Sequence, residues 1–387
     1  MDNFKYYNPT KVLFGADTHL LVGEEVKKYA DKILLHFGGG SIKSSGLYQQ
    51  VTDSLKAAGV AYVELGGVQP NPRLSLVYEG IKLCKQENIR FILAVGGGSV
   101  IDSAKAIAMG VEFSGDVWDL YSGDKETDRA LPVATILTIP AAGSECSSGS
   151  VISNESTGEK LAYGGDFIRP VFSILNPELC YTLPKYQMAC GVSDMIAHAM
   201  ERYFTNTPDV DYTDRILEAS IRSIIHTAPL LLKNMQNYDA WCNIMWAGSM
   251  VHNGILGAGR EEDWGSHDIE HQLSAVYDIA HGAGLSIIFP AWMRYVYGEH
   301  VNRFVQFAMR VWDVDLSFES PEAIILEGIR RMEAFFSSLG LPVRLSQLDI
   351  DETNFGMMAK RVTARGPVGR LEQLGEQDVL AIYRLAL

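Results

Sequence analysis

Residues 91–111, FILAVGGGSVIDSAKAIAMGV, decide the fold. FILAV is an apolar run of strand length. Three glycines and a serine follow, and IDSAKAIAMGV then takes up helical spacing. Strand, glycine turn and helix in that order form one unit of a parallel sheet covered by helices. Glycine lets a backbone approach a phosphate, and the start of the following helix favours negative charge. The same residues also read as a tight strand-to-helix turn, which any such fold needs.

The pattern repeats on both sides. KILLHF (32–37) reads as a strand, followed by GGGS (38–41) and a helix through about Leu55. VAYVEL (60–65) reads as a strand, PNP (70–72) opens a helix near 73–87, and VATILTIP (133–140) is a further strand. Neither glycine loop matches the G-x-G-x-x-G dinucleotide fingerprint, because Lys43 and Ile101 stand where the last glycine would fall. After the connector LNPELCYTLP (175–184), strand signals nearly vanish. Helical periodicity covers 186–204, 210–235, 238–255, 266–277, 284–297, 301–313, 321–338 and 373–385. The expected architecture is an α/β N-terminal domain over 1–182, with a mostly parallel, Rossmann-like sheet, and an all-α C-terminal domain over 183–387.

Composition narrows the function. A chain of 387 residues is long enough for about two to three domains. Hydrophobic residues make up 47%, so a large core is available. No apolar stretch reaches the length of about 18 residues that a membrane span needs. The opening MDNFKYYNPTKVLFG lacks the apolar run of a signal peptide. A net charge of -14 argues against nucleic acid or an anionic membrane as partner and fits a cytoplasmic protein. Five scattered cysteines without a CxxC speak against a disulfide framework or a cysteine-zinc site.

Asp194 and His198 lie four apart in GVSDMIAHAME, which puts a carboxylate and an imidazole on one helix face. His267 and His281 follow in WGSHDIEHQLSAVYDIAHGAG. An Asp/His₃ set suits Fe²⁺, Zn²⁺ or a similar divalent ion. Taken alone, Asp194 and His198 read equally well as a hydrogen-bonded helical pair. His267 and His271, with Asp268, Glu270 and Gln272 beside them, also read as a polar, partly solvated helix face. The pair His281-Gly282 places a ligand beside a flexible turn, near the start of a helix beginning at about Leu285. The loop 38–45, GGGSIKSS, has no acid; Gly38, Gly39, Gly40, Ser41 and Lys43 there suit the 2′-phosphate of NADP(H). Glu64, at the end of the second strand, is the competing residue and would favour NAD(H).

Together these residues resemble the iron-containing (group III) alcohol dehydrogenase family, in its butanol dehydrogenase-like, NADPH-dependent aldehyde reductase branch. The likeness runs through FKYYNPTKVLFG (4–15), PNPRL (70–74), GGGSVIDSAKAIA (96–108), TIPAAGSE (138–145), GVSDMIAHAMERY (191–203) and WGSHDIEHQLSAVYDIAHG (264–282). It implies a dehydroquinate synthase-like fold and a divalent metal, Fe²⁺ or Zn²⁺, held by Asp194, His198, His267 and His281. It implies pyrophosphate binding by Gly97, Gly98 and Ser99, with Asp102 as the acid beside that loop. Thr138, Ser147 and Lys160 match cofactor contacts, and Asn71 matches a position near the adenosine. Two departures stand out. Ala142 replaces a Thr or Gly common in the family. Gly39 lies where NAD-preferring relatives often carry Asp, which agrees with NADP(H).

The implied reaction is reversible reduction of a short- to medium-chain aldehyde, with Asp102 and His271 as the candidate catalytic residues and His271 as proton relay or support of the metal ligands. The partners expected are a small aldehyde or alcohol and a second copy of the chain, with no nucleic acid and no membrane. An NAD- and metal-dependent lyase of the dehydroquinate synthase type needs several basic side chains for an anionic substrate, and 241–267 carries only Arg260. A metallohydrolase leaves the glycine loops unexplained.

Overall fold

The computed structural model describes residues 1–317 and 320–387. Strands and helices alternate first: β1 (Lys11–Phe14), α1 (Val22–Lys27), β2 (Lys32–Phe37), α2 (Ser41–Ser44), α3 (Leu47–Ala57), β3 (Ala61–Leu65), α4 (Leu74–Gln86), β4 (Ile92–Gly97), α5 (Gly98–Glu112), α6 (Val117–Ser122), β5 (Val133–Ile139), β6 (Gly149–Asn154), β7 (Glu159–Gly164) and β8 (Phe172–Leu175). Helices follow: α7 (Lys185–Tyr203), α8 (Asp211–Lys233), α9 (Tyr238–His252), α10 (Gly265–Tyr277), α11 (His281–Val296), α12 (Val301–Trp312), α13 (Pro321–Ser338), α14 (Phe355–Val362) and α15 (Glu376–Leu385). Among the described residues no strand follows β8, and no helix is long and apolar enough to cross a membrane.

Six strands form one parallel sheet in the order β1-β8-β5-β4-β2-β3. The central strands are buried along nearly their whole length, which is why they read as continuous apolar runs rather than alternating ones. On one face Ile33, Leu35, Leu93, Val95, Ile136 and Ile174 pack with Val51 and Leu55 of α3. From β2 the chain passes outward to its neighbour β3; from β4 it passes the other way, to β5. The strand order therefore reverses between β2 and β4. Such a reversal opens a crevice at the carboxyl ends of the strands, where ligands bind in open α/β sheets. Both glycine loops, 38–41 and 97–99, lie there.

Several elements differ from the sequence expectation. The helix after the first loop is broken into α2 and α3 at Gly46, whose φ of 83° lies in the left-handed region. β6 and β7 form an antiparallel hairpin whose Ser-, Glu- and Lys-rich strands give weak apolar alternation. β1 and β8 have only four residues each, too few for a periodic signal. Contacts group Tyr7–Leu183 with Met235–Gly254, and Met1–Tyr6 with Pro184–Asn234 and Ile255–Leu387. Helix α9 thus belongs with the sheet, although the change in periodicity near 182 sets it among the helices. It is tied there by Trp246 against Phe14, ring centroids 6.0 Å apart, by Tyr238, which accepts from the Ala16 N–H at 3.0 Å, and by Ser249 donating to Glu145. Periodicity identifies a helix but not the surface it packs on.

Candidate metal centre and cofactor loops

Within the helical unit, α7 carries Asp194 and His198 one turn apart, α10 carries His267, and His281 is the first residue of α11. His198 Nδ1, His267 Nε2 and His281 Nε2 lie 3.7, 3.9 and 3.7 Å from Asp194 Oδ1. These separations are too long for hydrogen bonds. They are close to the edge of roughly 3.3–3.6 Å expected between donors about 2.0–2.2 Å from one tetrahedral ion. Asp194, His267 and His281 form one trio whose donor atoms all lie within 4.8 Å of one another, and Glu270, His271 and His281 form a second. His198 adjoins the first, its ring stacked on His267 at 4.9 Å.

Asp194 Oδ1 and His267 Nε2 are buried without a hydrogen-bond partner. An orphaned carboxylate oxygen and an orphaned ring nitrogen facing each other fit a cation that both can ligate, and the Asp/His donor set suits Fe²⁺ or Zn²⁺. Burial alone would raise the Asp194 carboxyl, but His198, His267 and His281 hold it well below the usual carboxylate range. Burial would lower the His267 imidazole, yet Asp194 and Glu201 lift it to about 9. Each group favours the other's charged form.

The helix start differs from the expectation of a flexible turn at Gly282. Gly282 is buried inside α11, and a Cβ there would collide with the Cys190 carbonyl of α7; one on Gly284 would collide with the Glu270 carboxylate. The two glycines let α11 approach α7 and α10 closely, which carries His281 to Asp194. Nor is the α10 face solvated. Glu270, His271 and Gln272 are buried, Glu270 completely so.

Two carboxylates that sequence reasoning missed stand behind the candidate ligands. Glu201 accepts from His267 Nδ1 at 2.6 Å and from the backbone N–H groups of Trp264 and His267 at 2.7 and 3.1 Å. Glu270 pairs with His281 Nδ1 and accepts from Ser274 Oγ at 2.5 Å. A signal existed: each Glu lies three residues after a ligand histidine, in His198-x-x-Glu201 and His267-x-x-Glu270. His271 lies one turn from His267, its ring 5.4 Å from that of His281.

In the sheet unit, Gly97 caps α5, and Gly98 and Ser99 form its first turn. Ala142 packs on this turn, since a Cβ added to Gly98 would lie 2.9 Å from the Ala142 Cβ. In the first loop a Cβ on Gly39 or Gly40 would meet nothing within 4 Å, and Ser41 is exposed at the start of α2. Lys43 is not directed at the loop alone: its ammonium lies 3.6 Å from Glu64 and over the rings of Phe37 and Tyr48, and Tyr48 donates to the same Glu64. The two residues that sequence set as rivals for the ribose are thus an ion pair.

Asp102 has both oxygens engaged, accepting from Ser144 Oγ at 2.5 Å and from the Val151 N–H at 3.0 Å. It braces the connection from β5 to β6. Beside it, sequence reasoning overlooked Lys105. Fully buried, its ammonium donates to the carbonyls of Ser144, Ser147 and Gly149 at 2.7, 3.0 and 2.9 Å and approaches the Ser144 and Ser147 hydroxyls at 3.0 and 3.4 Å. Burial pulls it down to about 8, with Asp102 and Glu145 opposing. Thr138 lies at the exit of β5, its carbonyl accepting from Cys180 Sγ at 3.7 Å. Lys160 of β7 donates to Asn71 at 3.1 Å, both of them buried.

Residues 9–177 match the model of the iron-containing alcohol dehydrogenase family, and residues 188–387 match its C-terminal domain. The chain belongs to the iron-containing alcohol dehydrogenase family. Among its relatives, the probable NADH-dependent butanol dehydrogenase 1 of Bacillus subtilis is 45% identical over 387 residues, covering 100% of both chains. The NADPH-dependent aldehyde reductase YqhD of Escherichia coli is 36% identical, over 99% of this chain and 97% of its own. The crystal structure of NADH-dependent butanol dehydrogenase A from Thermotoga maritima shares 40% identity at a TM-score of 0.96, covering 100% of this chain and 99% of that one. The parallel α/β sheet and the following helices are therefore the fold of this iron-containing alcohol dehydrogenase family, in its butanol dehydrogenase and aldehyde reductase branch.

Proposed function

We propose that this chain is a metal-dependent oxidoreductase that interconverts short- to medium-chain aldehydes and alcohols, with NADP(H) preferred over NAD(H). The observation that carries the reading is the convergence of one carboxylate and three imidazoles from α7, α10 and α11 in a member of this family. A divalent ion bound there supplies Lewis acidity toward a carbonyl or alcohol oxygen, and the nicotinamide supplies or accepts the hydride.

The chain's own residues do the rest. Asp194, His198, His267 and His281 hold the ion. His271, 9% exposed, carries a proton on a ring nitrogen and passes it through water to the oxygen of the nascent alcohol. Gly97, Gly98 and Ser99 present the N-terminus of α5 to the pyrophosphate. Gly38, Gly39, Gly40 and Ser41 receive the adenosine ribose, with Asn71 and Lys160 on the same cofactor. Thr138 and Ser147 offer hydroxyls. Asp102 acts through Ser144 and Val151, each of which donates to one of its oxygens.

The preference for NADP(H) is supported by the open, acid-free loop at Gly39 and Gly40. Against it, Glu64 already engages Lys43, and relatives include enzymes named for either cofactor. The test is absorbance at 340 nm with butanal and NADPH or NADH. The expected result is oxidation of NADPH at the higher kcat/KM, lost after chelation and restored by Fe²⁺ or Zn²⁺. Turnover that survives complete metal removal would overturn the metal assignment; a higher kcat/KM with NADH would overturn the cofactor assignment.

A further inference from the structure

The two carboxylates behind the histidines form a crossed series. Glu201 stands on α7, one turn after His198, but its partner is His267 of α10. Glu270 stands on α10, one turn after His267, but its partner is His281 of α11. Each helix thus carries a ligand and the support for the ligand on the next. Glu201 and Glu270 are almost completely buried, where a carboxylate is retained only at considerable desolvation cost.

Both carboxylates meet Nδ1 of their histidine, and in both cases Nε2 faces Asp194. A carboxylate accepts only, so Nδ1 carries a proton, and in the neutral ring that a metal requires Nε2 is left to offer its lone pair. We propose that Glu201 and Glu270 are positioning residues that fix the tautomer and orientation of His267 and His281, so that the ligand set is assembled across three helices before metal arrives. This inference rests on the metal reading above. It assigns metal affinity to residues that do not touch the ion.

The two positions respond differently to Gln. Every hydrogen-bond partner of the Glu201 carboxylate is an N–H donor: His267 Nδ1, His267 N and Trp264 N. An amide has only one acceptor oxygen, so in Glu201→Gln a donor must face a donor, or His267 must change tautomer and turn an N–H toward Asp194. Around Glu270 one neighbour is the Ser274 hydroxyl, which can accept from an amide N–H while the amide oxygen still accepts from His281. Glu270→Gln therefore keeps the geometry and removes the charge.

The experiment measures Zn²⁺ affinity of the purified, metal-stripped chain by competition with a chromophoric chelator. Visible absorption of the Co²⁺-substituted protein reports the ligand field, and circular dichroism confirms folding. Loss of such a supporting partner weakens metal binding about 10–100-fold. Glu201→Gln is expected at the upper end with an altered Co²⁺ spectrum. Glu270→Gln is expected at the lower end with a nearly unchanged spectrum, and it remains the decisive variant if Glu201→Gln does not fold. Wild type and His267→Ala separate the two readings. If wild type binds no stoichiometric Zn²⁺, or His267→Ala binds it as well as wild type, the metal reading itself fails. If those two behave as expected but the folded Gln variants bind Zn²⁺ and Co²⁺ like wild type, the positioning roles are wrong.

Discussion

Replacing Lys105 by Met tests whether one buried cation organises the connection from β5 to β6. The ammonium is the shared donor for three backbone carbonyls, those of Ser144, Ser147 and Gly149. Each buried acceptor left without a partner costs about 1–3 kcal/mol. Set against this is relief of the lysine's own desolvation: a fall from 10.5 to about 8 corresponds to roughly 3 kcal/mol. The acceptors outweigh that relief, in which the attraction of Asp102 and Glu145 is already included. The net loss expected is about 3 kcal/mol, at the lower edge of what removing one member of a buried ionic set costs. The loop between Ser144 and Gly149 should loosen, and with it the braces on Asp102 and the placement of Ser147. The assays are urea unfolding and nucleotide titration by calorimetry at a temperature where the variant stays folded. A lower midpoint and roughly tenfold weaker NADPH binding are expected. A variant within about 0.5 kcal/mol of wild type, with unchanged nucleotide affinity, would refute the reasoning.

Gly39→Asp places a carboxylate in open space at the adenosine side; like charges about 4 Å apart at the surface repel by about 4 kcal/mol. The ratio of kcat/KM for NADPH over NADH should therefore fall by up to about 10³-fold, and an unchanged ratio counts against the loop assignment. His271→Ala should keep its bound metal while turnover falls about 10²–10⁴-fold with an altered pH profile; unaltered turnover across pH would leave His271 a packing residue. His36 is fully buried between Leu65 O and Ser103 Oγ, and burial lowers it from 6.5 to about 4. Because the folded value is the lower one, the unfolded chain binds more protons between those values. The contribution of His36, up to roughly 3 kcal/mol, is complete above pH 6.5 and is lost as pH falls toward 4. Urea midpoints across that range should drop less steeply in His36→Gln than in wild type.

The sheet and the candidate ligand cluster were legible because their signals are local. KILLHF and FILAV announce buried strands, and Asp194 and His198 share a helix face by spacing alone. What stayed hidden depends on contacts between distant segments. Glu201 passed unremarked and Glu270 read as part of a polar, partly solvated helix face until α7, α10 and α11 are packed together. Lys105 passed unremarked in IDSAKAIAMGV, and only the fold of residues 144–149 around it makes it a buried donor. Gly282 suggested flexibility because a glycine's need for close approach is set by its neighbour, here the Cys190 carbonyl. Glu64 and Lys43 looked like alternatives for one ribose because sequence does not show that they pair with each other.

The supports behind the ligand histidines also leave an electrical signature. Asp194, Glu201 and Glu270 carry three formal negative charges around a position that a divalent ion can offset by only two, and the nearby guanidinium of Arg202 is already paired with Glu262 at 3.1 Å. Asp263 and Asp268 lie close enough to Glu201 for its charge to help push them up, after burial, to about 7 and 6. A molecule bearing its own carboxylate or phosphate approaches this centre against an unbalanced field of like sign, whereas an uncharged aldehyde does not. Under the proposed metal assignment, these surroundings would sort substrates by charge before any side chain measures their length.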